Sequence, residues 1–311
     1  MQARRWSARN SRPVAHLDIN GVRLWVEDEG EGSRDAPALV FVHEFGGDHR
    51  SWRGQVDHFK DRYRCITYSA RGYPPSDVPD DENAYGQDIA TADLLGVLDA
   101  LEIDRAHLIG LSMGAYTCLR FVLAHPDRVA SAVAASGGSG SAPAGREGFL
   151  SETLALADHI LAQDSLDLPG FATSATRIQL KLKNPEGWRE FADHFAAHSP
   201  KGSAYTLRRV QAGRPSLYDF EAALGAVTTP VLLMIGDEDE PCIDTNIFLK
   251  RAMPSAGLVV FPKSGHLINL EDPAAFNAAI DAFHRDVAGD RWPRRDSTTT
   301  GNSAYLSQED S

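Results

Sequence analysis

The chain has 311 residues, 42% hydrophobic and 24% charged, which is enough apolar content for a buried core and excludes disorder along its whole length. Lys and Arg number 31 against 43 Asp and Glu, a formal net charge of −12 that argues against nucleic-acid partners and against anionic membrane surfaces. The length exceeds the roughly 250–300 residues at which single cores stop growing, so one large domain carrying an insertion is as compatible as two domains.

Residues 1–13 are polar and Arg-rich and read as a flexible leader. Arg4-Arg5 is followed by no apolar stretch, so no export signal is expected. No run approaches the roughly 18 apolar residues of a membrane-crossing helix. Residues 14–19 and 22–27 flank Asn20-Gly21, a strong hairpin signal. Residues 38–43 (ALVFVH) and 64–68 (RCITY) read as short buried strands. Residues 84–101 form a helix-length segment with Ile89, Leu94, Leu95, Val97, Leu98 and Leu101 as its apolar positions. A strand at 107–111 (HLIGL), a helix from 113 to about 124 and a strand at 128–134 follow.

The alternation then stops. Residues 137–226 show no clear strand. They open on SGGSGSAPAG, which reads as a flexible linker, and continue with helical pieces at 151–163 and 187–198. The rhythm resumes with a strand at 231–235 (VLLMI), a helix near 245–251, a strand at 258–261 and a final helix at 273–286. Strands alternating with helices imply a mostly parallel sheet covered on both faces. The expected organisation is a core of residues 14–136 and 227–288, a helical lid of residues 137–226 inserted after the sixth core strand, and a flexible tail of residues 289–311. Cys65, Cys118 and Cys242 lie far apart without CxxC spacing, as expected of a reduced cytoplasmic chain with no zinc site.

Gly110-Leu111-Ser112-Met113-Gly114 is a G-x-S-x-G motif between a strand and a helix. A nucleophilic serine needs a sharp turn to project its hydroxyl above the sheet. Side chains two residues to either side would strike backbone, hence the glycines. The following helix N-terminus favours developing negative charge. A serine hydroxyl also needs a base. Of 11 histidines, His266 is the best placed, on the loop after the last strand and before Glu271-Asp272-Pro273. His43 also ends a strand, but its position suits bracing a loop. The base needs a carboxylate to orient it. Gly236-Asp237-Glu238-Asp239-Glu240-Pro241 follows the strand at 231–235, and Asp239 is the favoured choice, with Asp237 and Glu240 as alternatives.

With HEFGGDHRSW at 43–52, YSARGYPPSD at 68–77, GLSMG at 110–114, GDEDEP at 236–241 and SGH at 264–266, the chain resembles the α/β-hydrolase-fold superfamily, in its capped esterase, lipase and meta-cleavage hydrolase type. The resemblance spans roughly residues 14–288. It implies an eight-stranded, mostly parallel sheet with helices on both faces and an inserted lid. The order Ser112, Asp239, His266 matches the superfamily's order of nucleophile, acid and base. The resemblance also implies an oxyanion hole from the backbone N–H groups of Phe45 and Met113. One departure stands out: most relatives have His-Gly where this chain has His43-Glu44. A buried carboxylate there must be compensated. It is expected either to pair with an arginine such as Arg71 or Arg50, or turn outward, or to tune the nucleophile. Arg71-Gly72 reads as scaffold, with Ser69 replacing the usual Asp.

Phe171, Trp188, Phe191, Phe195, Tyr205 and Leu207 make the expected lid apolar, which suits a small to medium, partly apolar substrate. The expected activity is hydrolysis of a carboxylic ester or lactone through an acyl-enzyme on Ser112. The alternatives are C–C bond hydrolysis of meta-cleavage products and a ligand-sensing receptor on the same fold. No metal or organic cofactor is implied. The expected partner is a small-molecule substrate, and the expected assembly is a monomer or homodimer.

Overall fold

A computed structural model describes residues 15–30, 36–168 and 170–296. The expected leader and the distal part of the expected tail lie outside the described residues. Eight strands form one sheet: β1 (Ala15–Ile19), β2 (Val22–Glu29), β3 (Ala38–Val42), β4 (Arg64–Tyr68), β5 (Ala106–Leu111), β6 (Val129–Ala135), β7 (Val231–Gly236) and β8 (Ala256–Phe261). Their spatial order is β1-β2-β4-β3-β5-β6-β7-β8. The β1–β2 and β2–β4 pairs are antiparallel and the other neighbours are parallel. The β1–β2 turn carries Asn20 and Gly21 at positive φ, as its Asn-Gly sequence requires.

The helices are α1 (Arg53–Phe59), α2 (Gln87–Ala100), α3 (Met113–Ala124), α4 (Arg146–Gln163), α5 (Ile178–Lys183), α6 (Pro185–Ala196), α7 (Pro200–Tyr205), α8 (Glu221–Ala226), α9 (Glu240–Ala252), α10 (Ile268–Glu271) and α11 (Pro273–Ala288). A π-helical turn, Thr206–Ala212, continues α7. None of the described helices is long and apolar enough to cross a membrane.

The central strands are apolar on both faces because helices cover both. Ala38, Val40 and Val42 of β3 pack with Leu94 and Leu98 of α2 and Leu119 of α3. The intervening Leu39 and Phe41 pack with Val56 and Phe59 of α1 and Phe276 of α11. The two-residue period of the strands thus divides the core into two layers, one on each side of the sheet.

Between β6 and β7, the described residues hold α4 to α8 and no strand. This region has its own apolar cluster, in which Ile160, Phe195, Leu207 and Val210 meet Phe45, Tyr73 and Met113 of the sheet-bearing part. The Gly/Ser-rich stretch at its start is not a free linker. Thr245 Oγ1 donates to the Gly138 carbonyl, Asn246 Nδ2 to that of Gly137 and Ser216 Oγ to that of Ser141. Small residues are needed there because a Cβ at Gly138 would strike Thr245. The beginning of the expected tail is also held. Trp292 packs on Phe283 and donates its indole N–H to Ser255, while Arg295 donates to the Lys250 and Arg251 carbonyls at the end of α9.

His107 of β5, half-buried, and His284 of α11, buried, face each other with ring centroids 4.6 Å apart. Burial pulls the imidazole of His107 down to about 4 and that of His284 to about 3, so both are neutral near pH 7. Neither nitrogen of His284 has a hydrogen-bond partner. An unfolded histidine titrates near 6.5. Their contribution to stability is therefore complete above that pH and is lost as pH falls toward 3. Urea midpoints measured from pH 7 to pH 4 should fall more steeply for the wild type than for His284→Phe. Parallel curves would show that the pair does not govern acid lability.

Candidate active site

Ser112 links β5 to α3 with φ 54° and ψ −109°, a strained conformation for a residue with a side chain. The turn is tight: a Cβ at Gly110 would run into the Gly114 carbonyl, and one at Gly114 into the Val42 carbonyl. The Ser112 N–H is fixed to Ala135 O at 2.8 Å. The serine is only 8% exposed.

The expected acid and base, Asp239 and His266, follow the ends of β7 and β8. His266 Nδ1 lies 2.8 Å from Asp239 Oδ2, so Nδ1–H donates to a fully buried carboxylate. Asp237 instead accepts the Ser264 N–H at 3.2 Å, and Glu240 is exposed at the start of α9. Among the acids of this loop, Asp239 alone meets His266. The His266 loop is braced from both sides. Glu271 accepts the N–H groups of Gly265 and Leu267 at 2.7 and 3.1 Å, and the Thr176 carbonyl accepts that of His266 at 2.7 Å.

Phe45 follows β3, and Met113 opens α3, where a helix N–H has no intrahelical acceptor. Their side chains share one apolar cluster with Phe195 and Leu207. The contact of Gly114 with the Val42–His43 backbone brings the two segments side by side. His43 braces this loop: Nδ1–H donates to the Glu44 carbonyl and Nε2 accepts the Ala70 N–H, at 2.8 and 2.9 Å. Burial pulls its imidazole down to about 4, as expected of a neutral structural histidine.

Glu44 neither pairs with the expected arginines nor turns outward. Arg71 forms a bidentate pair with Asp93, and Arg50 is bound to Asp48. Glu44 is fully buried; its Oε1 accepts the Ser51 hydroxyl at 3.2 Å, and its Oε2 has no partner. The 44–47 turn folds the carboxyl inward against Gly47, where a Cβ would overlap it. Burial pushes Glu44 up to about 7.

Several neighbours had no clear signature in the sequence. The donor atoms of Asp239, Cys242 and His266 lie within 4.8 Å of one another. Burial beside Asp239 pushes the Cys242 thiol far up, and the thiol donates to the Ser136 carbonyl at 3.4 Å. A protonated thiol beside an engaged Asp–His pair does not suit a metal. The position of Cys242, three residues after Asp239 on the first turn of a helix, was the available cue. Glu271 belongs to the EDP run that marks a helix start. Arg177, from the segment before α5, had no sequence cue.

A raised carboxyl pKa means that the folded state binds a proton which the unfolded state has already released. Stability linked to Glu44 is therefore intact below about pH 4.5 and lost as pH rises through about 7. Glu44→Gln should raise the urea-unfolding free energy at pH 8 by on the order of 1–3 kcal/mol and change it little at pH 5. An equal change at both values would remove the ionisation from the explanation.

Comparison with known proteins agrees with this architecture. The model of the alpha/beta hydrolase fold family matches residues 37–273. The chain is 29% identical over 260 residues to 3-oxoadipate enol-lactonase 1 of Acinetobacter baylyi, an alignment covering 82% of this chain and 91% of the relative. It is also 29% identical over 282 residues to a 2-hydroxy-6-oxononadienedioate/2-hydroxy-6-oxononatrienedioate hydrolase of Burkholderia vietnamiensis, covering 86% and 93%. The solved structure of a thermophilic esterase from Thermogutta terrifontis superposes with a TM-score of 0.73 at 25% identity, covering 88% of this chain and 97% of that one. With the family model spanning most of the sequence, the chain belongs to the alpha/beta hydrolase fold family.

Proposed function

We propose that the protein is a serine hydrolase that cleaves a carboxylic ester or lactone of a small to medium, partly apolar substrate. The observation that carries this reading is the 2.8 Å contact between His266 and buried Asp239 at the sheet edge where Ser112 sits on a strained turn. In this reading His266 Nε2 takes the Ser112 proton as Oγ bonds to the substrate carbonyl carbon. The Phe45 and Met113 N–H groups receive the oxyanion. Collapse of the tetrahedral intermediate breaks the carbon–oxygen bond, and His266 returns the proton to the leaving alcohol. Water, deprotonated by His266, then cleaves the acyl-enzyme. Asp239 holds the imidazole in the tautomer with its proton on Nδ1 and stabilises the imidazolium.

The lactonase and esterase among the similar proteins support ester or lactone chemistry. The Burkholderia relative, named a 2-hydroxy-6-oxononadienedioate/2-hydroxy-6-oxononatrienedioate hydrolase, supports the second reading, C–C bond hydrolysis of meta-cleavage products by the same three residues. The third reading is a receptor that binds without turnover. Its signature would be fluorophosphonate labelling of Ser112 with no multiple turnover on any substrate.

Ser112→Ala should lower the turnover of p-nitrophenyl esters by about 10³-fold or more, and His266→Ala comparably. Full retention of activity by Ser112→Ala would sink the assignment, and a panel of esters, lactones and meta-cleavage products would separate the first two readings. The proposed tuning role for Glu44 makes a separate prediction. Glu44→Gly should alter kcat and displace the pH–rate profile near pH 7, where the carboxyl titrates. An unchanged profile and kcat would leave Glu44 a purely structural role.

A further inference from the structure

In the Gly/Ser-rich loop after β6, acceptors are used up while donors are left over. Every carbonyl from Gly137 to Ser141 accepts a hydrogen bond from a side chain, those of Ser139 and Gly140 from Arg214 and Arg146. The donors are not matched in this way. The N–H groups of Gly137 and Gly138, both buried, have no acceptor among the described residues. The hydroxyls of Ser136 and Ser141, which bracket the loop, are buried without a partner, and so is Arg214 Nη1. The Ser141 N–H donates to the Gly138 carbonyl at 3.0 Å and folds the loop on itself, which brings these donors together.

The charge is as one-sided as the hydrogen bonding. Arg214 is 3% exposed. It donates through Nη2 to Ser139 at 2.9 Å and lies over the Tyr116 ring, 4.5 Å from the centroid. Arg146 crosses it, donating through Nη1 to Gly140 and through Nη2 to the Arg214 carbonyl, at 2.8 and 2.9 Å. Among the described residues neither guanidinium forms an ion pair with a carboxylate. Burial pulls Arg214 down to about 10, which leaves it charged at neutral pH, and the groups that act on its charge, Tyr116, Cys242 and Arg146, include no carboxylate. A buried cation is costly unless an opposite charge compensates it, and a second cation beside it adds to the cost.

We propose that this loop and its two arginines form a binding site for a monovalent inorganic anion of chloride size. The anion accepts from Arg214 Nη1 and from the serine hydroxyls, and it supplies the negative charge that Arg214 lacks. One buried guanidinium balances one charge; Arg146 is half-buried and partly solvated. The packing selects a single-atom ion over a tetrahedral oxyanion. Gly138 lies so close to Thr245, and Gly140 to Phe149, that no Cβ fits at either position. The site adjoins the hydrolytic residues without including them. Ala135, just before the loop, accepts the Ser112 N–H, and the Ser136 carbonyl accepts the Cys242 thiol. The proposal therefore stands apart from the serine-hydrolase reading, and its test needs no substrate.

The test is thermal unfolding of the full chain, freed of chloride by dialysis, in sodium gluconate progressively exchanged for sodium chloride at constant ionic strength. The midpoint should rise saturably, by about 2–4 °C at ten times the chloride Kd, and bromide should act as chloride does. Arg214→Met should lose this response. Arg285→Met, which removes an exposed cation elsewhere, should keep it. Equal midpoints in the two salts, or the same chloride response in Arg214→Met as in the wild type, would overturn the proposal. Arg214→Gln replaces Arg214→Met should the latter not fold. If neither folds, anomalous scattering from a bromide-soaked crystal of the wild type decides. A bromide ion in contact with Arg214 and a hydroxyl of Ser136 or Ser141 supports the site; bromide on the surface alone, an adventitious ion only, rejects it.

Discussion

The site depends on one close approach, that of the α3 N-terminus to the end of β3. Gly114 lies so near the Val42 and His43 carbonyls that no side chain fits between them. This approach accompanies the sharp turn at Ser112 and packs the start of α3 closely against the end of β3. The parallel pairing of β3 with β5 and of β5 with β6 supplies the rigid base from which the turn projects. Both faces of those strands are packed, so the strained conformation is over-determined by its surroundings, as such conformations must be. His43 then fixes the adjacent loop through both ring nitrogens, which requires it to remain neutral.

The helical region is held to this base in two ways. Apolar contact around Phe45, Tyr73 and Met113 removes area from water. A seam of polar contacts sets its position. His198 Nε2 meets Asp48 Oδ2 at 3.0 Å with both side chains buried, and Arg50 completes the compensation of that carboxylate. Peripheral pairs such as Lys201–Asp80 are well exposed and contribute little. The buried contacts fall at Asp48, Gly265 and His266, so the same bonds that dock the helical region also hold the loops of the site.

The elements of the sheet were legible because alternating apolar runs and turn residues are local signals. Each strand from β3 to β8 lies where its apolar run placed it, within a few residues. The serine turn was legible for the same reason, since two glycines and a serine between a strand and a helix express a local steric demand. Choosing among Asp237, Asp239 and Glu240 required knowing which carboxyl faces inward. That is decided by the crossing of the β7 end against Ser264 and Gly265, more than twenty residues away. The Gly/Ser-rich stretch after β6 was misread because its composition matches a linker. Its glycines are instead required by close approach to α3, α9 and α4, at Gly137, Gly138 and Gly140 in turn, which a composition cannot express. Trp292 and Arg295 were likewise hidden, because their partners lie on α9 and just before β8.

Glu44 shows where local and global rules conflict. Glu44 stands out in sequence as a departure from the His-Gly pair of most relatives, and the nearby arginines were one expected set of partners. Both arginines have stronger partners fixed by the fold, Asp93 and Asp48, so Glu44 is left with Ser51 and an orphaned oxygen. Gly47 supplies the room for it, and burial supplies the protonation that lowers its cost. Arg177 is the complementary case, a cation whose Nε is as isolated as Glu44 Oε2. At Arg64–Asp28 and Arg71–Asp93, by contrast, buried charges meet partners at hydrogen-bonding distance. Glu44 keeps an orphaned oxygen because the fold commits the cations that could neutralise it to other carboxylates.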